Sequence, residues 1–501
     1  MNGEPTCASQ FLSDIIRGKW NFTGYITSDT GALEDVYLEH KYVDTEQEAA
    51  CVSLINGTTD VDSGHVYHDM LLGCPKEYID AALRRTFRLR FQLGLFDPIE
   101  SSPYWSTPLS AIATPAAAAM NNLATRESMV LLKNSPKGGL PWSTGMKIAV
   151  LGPHANATTA LVGNYLGQLC PDDEFDCLDS PFSSIKSLNS GGSTSLGKGP
   201  GLTANDTKSW TEALALAKEA DAVVLVLGID GSIEGESNDR MDIDLPSVQH
   251  AFADAVAALG KPTVLFLVHA GSLDTSRELA NPGIAAIVDA FYPGSLGAKA
   301  MAATLFGKND NCCGKMAFTT YKADYVQAIK MSDMELDGEV GRGYRFFSGD
   351  VVYPFGFGLG FTTFTLAPLN PLPPNSTVLP TESGSPSNPL TYSFTVKNTG
   401  GTPGDEVLQA YFLPRSTPSQ PGSKLLKQLF AYTRVHLDAG GSQDVHFSVD
   451  SSTFRMTDKL TGNLVSTPGV FDLLFTNGVD VAMGARVTLT GEQVTLETFP
   501  Y

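Results

Sequence analysis

Apolar residues recur at helical spacing through Phe11, Leu12, Ile15, Ile16 and Trp20, which predicts a helix over residues 9–20. GYITS at 24–28 then reads as a short buried strand ending at Asp29, followed by a polar loop. The order returns: TEQEAACVSLIN (45–56) has a helix pattern, TDVD (59–62) a strand end, and EYIDAALRRTFRLRFQLGLF (77–96) reads as a long amphipathic helix stopped by Asp97 and Pro98. Helices alternating with strands that end in acidic residues are how a parallel α/β barrel displays its chemistry. A whole (β/α)8 barrel takes about 250 residues. Only about 100 precede the Ser/Pro-rich linker at 101–115, too few for a whole barrel.

An Ala-rich stretch, Ala116 to Val130, predicts a helix that opens a second domain at 116–365. KIAVLG (147–152), DAVVLVLG (221–228), TVLFLVHA (263–270) and AAIVDAF (285–291) are near-continuous aliphatic runs separated by helix-length segments. Such runs belong to strands buried on both faces of a largely parallel sheet, so this domain reads as a three-layer α/β sandwich. Residues 366–388 form a Pro/Ser linker. Beyond it YSFTV (392–396), EVLQAYF (406–412), VHFSV (445–449) and VFDLLF (470–475) alternate apolar with polar residues, which predicts a β-sandwich of the immunoglobulin or fibronectin type III kind over 389–501.

Composition narrows the partners. The 501 residues carry 34 Lys and Arg against 54 Asp and Glu, a formal net charge of −20, and that field repels nucleic acid and anionic lipid. No apolar run reaches membrane-spanning length, and MNGEPTCASQ lacks the basic and apolar regions of a signal peptide. The cysteines at 7, 51, 74, 170, 177, 312 and 313 include no C-x-x-C pair and no His at metal spacing, so a zinc site has no support. Cys170 and Cys177, bracketing the acidic loop PDDEFD, are the best disulfide pair, and the odd total leaves a thiol over. Sequons at Asn21, Asn56, Asn156, Asn205 and Asn375 permit glycosylation.

Two acidic clusters are candidates for chemistry. In GYITSDTGALEDVY (24–37) Asp29 follows an apolar strand between small residues that leave its carboxylate accessible; the competing reading is a turn or helix cap. GIDGSIEGESNDR (228–240) gathers Glu234, Glu236, Asp239 and Arg240 on a Gly/Ser-rich loop after a strand, where open α/β sheets bind ligands. Alone it reads as a solvated acidic loop. Glycoside hydrolysis gives both clusters a joint purpose, because one carboxylate must attack the anomeric carbon while another holds a proton for the leaving oxygen. Gly152-Pro153-His154 belongs to no phosphate-loop motif, and His154 and His269 at strand ends read as satisfied structural histidines. The run FGFGLGFTTF (355–364) reads as domain-junction packing, with glycines allowing close backbone approach.

The segment NGEPTCASQFLSDIIRGKWNFTGYITSDTGALEDVY resembles glycoside hydrolase family 3, in particular its fungal β-xylosidase branch. The likeness continues through NGTTDVDSG, ATRESMVLLKNS, LPW, GPHANAT, IEGESNDR, GRGYRFFSG and YPFGFGLGFTTF, in family order and over essentially the whole chain. It implies a secreted, exo-acting, retaining xylan 1,4-beta-xylosidase that releases xylose from the non-reducing ends of β-linked xylo-oligosaccharides. The nucleophile falls on Asp29 and the acid/base on Glu236, with Glu234 as alternative, because spacing does not separate the two. A retaining mechanism sets the two carboxyl groups about 5 to 5.5 Å apart. Ser28, Tyr25 and Arg240 are candidate substrate contacts, with Glu34 a candidate for the pocket wall. Arg240 is equally readable as an ion pair with Asp239. Thr30 stands where many relatives have a cysteine, which makes Cys51 or Cys74 the expected unpaired thiol. The resemblance also implies that residues 1–100 are the C-terminal end of a (β/α)8 barrel without the strands that would line the glycone subsite, so the alternatives are an inert family member, a β-glucosidase or an α-L-arabinofuranosidase. On that reading residues 1–501 alone have little activity, and proteolysis cuts first within 1–110 and 366–389.

Overall fold

The computed structural model describes residues 3–499 except 172–173, 237, 311, 373–376, 381–388 and 418–423. The chain divides into two compact units, one built on the residues up to Thr114, the other on Pro115–Lys459 and Leu464–Leu496.

In the first unit the helix at Glu46–Ile55 is started by a capping box between Thr45 and Glu48, and its Ala50 and Leu54 pack with Leu33, Val66 and Ala82 in a small core. The segment 24–28 pairs more briefly than its pattern predicts, through a single parallel bridge between Thr27 and Val61. Helices at Ala32–Leu38 and Glu46–Ile55 lie between the two bridged segments, which makes one strand-helix-strand crossover. Among the described residues up to Thr114 no longer ladder forms, and the long helix Lys76–Gln92 leaves Leu83, Phe87 and Phe91 exposed. Cys51 and Cys74 are joined, which corrects the expectation that one of them is unpaired; the free thiol is Cys7.

The second unit opens with a helix over Pro115–Ser128, which ends two residues earlier than its pattern suggested, because Val130 already belongs to a strand. A six-stranded sheet follows: β1 (Val130–Asn134), β2 (Lys147–Leu151), β3 (Ser193–Gly197), β4 (Ala222–Gly228), β5 (Thr263–Val268) and β6 (Ala286–Asp289). Their order is β1-β6-β5-β4-β2-β3, parallel throughout except that β1 runs against β6. Alternate residues feed opposite faces. Val224, Val226, Val264 and Phe266 meet Ile185 and Met301 on one face, while Val223, Leu225, Leu265 and Leu267 meet Ala213, Phe252 and Val256 on the other. Both faces are therefore covered by helices, as continuous aliphatic runs require. Cys170 and Cys177 form a disulfide, as do the neighbours Cys312 and Cys313.

The β-sandwich has a five-stranded sheet in the order Thr377–Pro380, Ala482–Thr490, Gly469–Thr476, Gly404–Ser416, Gln428–Leu437, and a three-stranded sheet in the order Ser442–Val449, Leu390–Asn398, Phe364–Pro368. Tyr392, Phe394, Phe412, Phe471 and Phe475 fill the space between them. The stretch 366–388 is not linker throughout. Its start, 366–368, pairs with 394–396 and 377–380 pairs with 487–490, because backbone pairing outweighs a composition rich in proline; 373–376, 381–388 and Asn375 lie outside the described residues. The FGFGLG run packs against the sandwich. Gly356 adopts φ +82°, its carbonyl accepts from the Gln409 amide at 2.9 Å, and a Cβ there would strike Gln409. Lys315 donates to the Gly358 carbonyl at 2.8 Å and pairs with Glu406 at 2.9 Å.

Candidate active site

Asp29 sits on the turn that leaves the bridged segment. Its side chain is exposed, and Oδ1 accepts from the Thr30 amide at 2.8 Å. It lies on the rim of a cleft of about 420 Å³ that Ile26, Ser28, Asp35, His40 and Thr59 also line. Ser28 is turned inward, donating to Asp62 at 3.3 Å and accepting from the Ser63 amide at 2.9 Å. Tyr25 is half-buried. Glu34 is engaged by His65, whose Nδ1 lies 2.8 Å from its carboxylate.

Sequence reading missed the group that holds this turn. The Asp60 carboxylate is fully buried and accepts from Arg17 at 2.7 Å, from Arg85 and from the Ile26 amide at 2.9 Å, so it pins the backbone three residues before Asp29. The TDVD pattern placed a strand end here and gave no sign of two guanidinium partners 43 and 25 residues away. Asp60→Ala would strand two cations and an amide, a loss of about 3 kcal/mol or more. Hydrogen exchange at the Ile26, Ser28 and Val61 amides should therefore quicken roughly 100-fold, and exchange at the parent rate would refute the assignment.

The second candidate cluster follows β4. Strands β3 and β4 lie on opposite sides of β2, and at such a reversal the C-terminal strand ends open a crevice. Gly228 takes φ +139°, a Cβ there would lie 1.9 Å from the Val268 carbonyl, and the buried Gln249 amide grips its N–H at 2.9 Å and its C=O at 2.7 Å. Asp230 then turns the chain, accepting from the Ser232 amide at 2.9 Å while its carbonyl takes the Ile233 and Glu234 amides. Glu234 is the foot of the loop. One oxygen accepts from the Gly271 amide at 2.8 Å, the other pairs with Arg240 Nε, and Arg240 Nη2 donates to the Ser272 carbonyl at 2.8 Å. Arg240 thus pairs with Glu234, not with Asp239 as sequence adjacency suggested; the guanidinium folds back across the hairpin. Gly235 and Asn238 exchange backbone hydrogen bonds at 3.1 Å each, and Glu236 stands in the turn between them, exposed and without a side-chain partner among the described residues. The loop's exit is tied by Asp244 to His250 at 3.0 Å, and His250 in turn meets buried Glu278 at 2.6 Å.

This arrangement sorts the two glutamates by availability. Both Glu234 oxygens accept hydrogen bonds, one from the Gly271 amide and the other from Arg240, whereas the Glu236 side chain is exposed. His269 is satisfied, as sequence position suggested, by Gly271 and Asp289. His154 is not: its Nε2 is buried without a partner among the described residues, and burial pushes the imidazole down to about 4. Glu46, His65 and Asp69 are the group of possible metal ligands found among the described residues, and two of the three are exposed. No helix among those residues is long and apolar enough to cross a membrane.

Residues 129–361 match the glycosyl hydrolase family 3 C-terminal domain, and 406–477 the fibronectin type III-like domain. Over 523 residues the chain is 33% identical to a probable exo-1,4-beta-xylosidase of Aspergillus flavus, covering 100% of this chain and 65% of that protein. A family 3 exo-beta-xylosidase solved with a xylobiose aziridine activity-based probe superposes with TM-score 0.87 at 30% identity, over 100% of this chain and 66% of that one. A beta-glucosidase from Listeria innocua in complex with isofagomine gives 0.81 at 25% identity, over 98% and 67%. The chain therefore spans about two thirds of the length of these proteins.

Proposed function

Because the chain carries the C-terminal domain of glycoside hydrolase family 3 and belongs to that family, we propose that it serves as a retaining exo-β-xylosidase that takes xylose from the non-reducing ends of β-linked xylo-oligosaccharides outside the cell. The observation that carries this reading is likeness along the full length of the chain to an exo-beta-xylosidase captured with a xylobiose-derived probe. The barrel origin of residues 1–100 belongs to the same proposal.

Asp29 attacks the anomeric carbon as Glu236 gives its proton to the departing glycosidic oxygen, so the C–O bond breaks while an ester to Asp29 forms. Glu236, now ionised, takes a proton from water. That water displaces Asp29 and releases xylose with its β configuration. Glu234 and Arg240 hold the acid loop at its foot, and no step requires a metal or an organic cofactor.

Proton NMR of the hydrolysis of an aryl β-xyloside tests the reading: β-xylose should appear first and mutarotate later. α-Xylose as first product would overturn retention. A higher kcat/KM on an aryl β-glucoside or aryl α-L-arabinofuranoside than on the aryl β-xyloside would move the assignment to those activities.

A further inference from the structure

Behind the foot of the acid loop stands a fully buried histidine that the mechanism above does not use. His269 follows β5 with only 2% of its surface exposed, and each ring nitrogen faces an acceptor. Nδ1 lies 2.7 Å from the Gly271 carbonyl, and Nε2 lies 3.0 Å from Oδ1 and 3.1 Å from Oδ2 of Asp289 at the end of β6. A neutral ring has one N–H and satisfies only one of them; both contacts form together only in the imidazolium. Asp289 is itself fixed by the Phe291 amide at 3.0 Å, and the Phe291 ring packs 5.5 Å from the imidazole. Burial works against a charge on His269 and Arg240 repels it, but the Asp289 carboxylate and the two hydrogen bonds outweigh both, and the group titrates above the ordinary histidine value.

Gly271 is where this dyad meets the acid loop. Its carbonyl is taken by His269 and its N–H by Glu234, and a Cβ there would fall 2.8 Å from the Glu234 carboxylate, so a larger residue at 271 would push that carboxylate from its place. Asp289, His269, Gly271, Glu234 and Arg240 therefore form one continuous chain of hydrogen bonds running from the sheet to the hairpin that carries Glu236.

We propose that the His269–Asp289 dyad is a positioning device for proton transfer: through the Gly271 peptide it fixes Glu234, and through Glu234 the turn on which Glu236 meets the leaving oxygen. This inference rests on the reading of Glu236 as acid/base. Proton delivery matters for a poor leaving group and little for a good one, so misplacement of Glu236 registers as a change in leaving-group dependence.

The experiment compares kcat/KM on xylobiose with that on dinitrophenyl β-xyloside in the intact protein. An asparagine amide reaches about as far as Nδ1 and a glutamine amide about as far as Nε2, so His269→Asn keeps a donor for the Gly271 carbonyl and His269→Gln does not. His269→Gln should lower the xylobiose to dinitrophenyl ratio by roughly 10- to 100-fold, with His269→Asn staying near the parent value. Equal losses on both substrates, as from a role in stability alone, or an unchanged ratio in both variants would overturn the proposal. If neither variant folds, Glu234→Gln cuts the same chain near the surface, and its ratio decides in the same way. Glu236→Ala runs in parallel: a fall of its ratio with no fall for His269→Gln defeats the dyad alone, whereas no fall for Glu236→Ala defeats the acid/base reading beneath it.

Discussion

In a chain restored to full barrel length, alanine at Asp29 is expected to lower hydrolysis of an aryl β-xyloside on the order of 10⁴-fold, and added azide is expected to restore part of the lost rate. On the proposed mechanism, removing the carboxylate leaves the anomeric carbon without its covalent partner, and alanine vacates space that a small anion fills. Azide arriving from that side gives α-xylosyl azide, because one displacement replaces two. The surroundings suit the substitution. Asp29 is exposed, its hydrogen bond is to the adjacent Thr30 amide, and the backbone before it is held by Asp60 and not by Asp29 itself. Folding should therefore survive, with unchanged exchange at Ile26. Retention of more than about a tenth of the activity would remove Asp29 from the role of nucleophile.

What the sequence displays is the part of the fold that repeats a local rule. Strands β2, β4, β5 and β6 are apolar at nearly every position because both faces are covered, and such runs are visible without partners. The edge strands were not visible. STSLG at β3 is mostly polar, and β1 follows so closely on the Ala-rich helix that Met129 and Val130 extend its pattern. Strand Phe364–Pro368 was hidden by proline-rich composition, since what decides it is the ladder to Phe394–Asn398, a long-range fact. At the candidate site the same division holds. Composition and motif order point to Asp29 and to the loop at 233–240, but the choice between Glu234 and Glu236 depends on the Gly271 amide, 37 residues beyond Glu234, and on a guanidinium that bypasses its neighbour Asp239. Asp60 and His269 are legible only once their partners are placed, because a buried charge looks in sequence like any other polar residue.

Glu236→Ala is expected to cut kcat/KM on xylobiose by about 10²- to 10⁴-fold while leaving dinitrophenyl β-xyloside within a few-fold of the parent, since dinitrophenolate departs without a proton. The second step must then slow, because no base remains to activate water, and the xylosyl ester on Asp29 should accumulate as a burst of dinitrophenol. Azide needs no base, so it relieves the block, and because it attacks an ester already formed the product is β-xylosyl azide. That configuration is opposite to the one expected with Asp29→Ala, which lets a single product analysis assign both carboxylates. Glu234→Ala is expected to behave differently from either. It removes the acceptor for Gly271 and Arg240 but no transferable proton, so the loop loosens and activity falls on xylobiose without azide rescue. β-Xylosyl azide from Glu234→Ala and none from Glu236→Ala would exchange the two roles, and the geometry of the loop foot would then describe a resting state that the substrate rearranges.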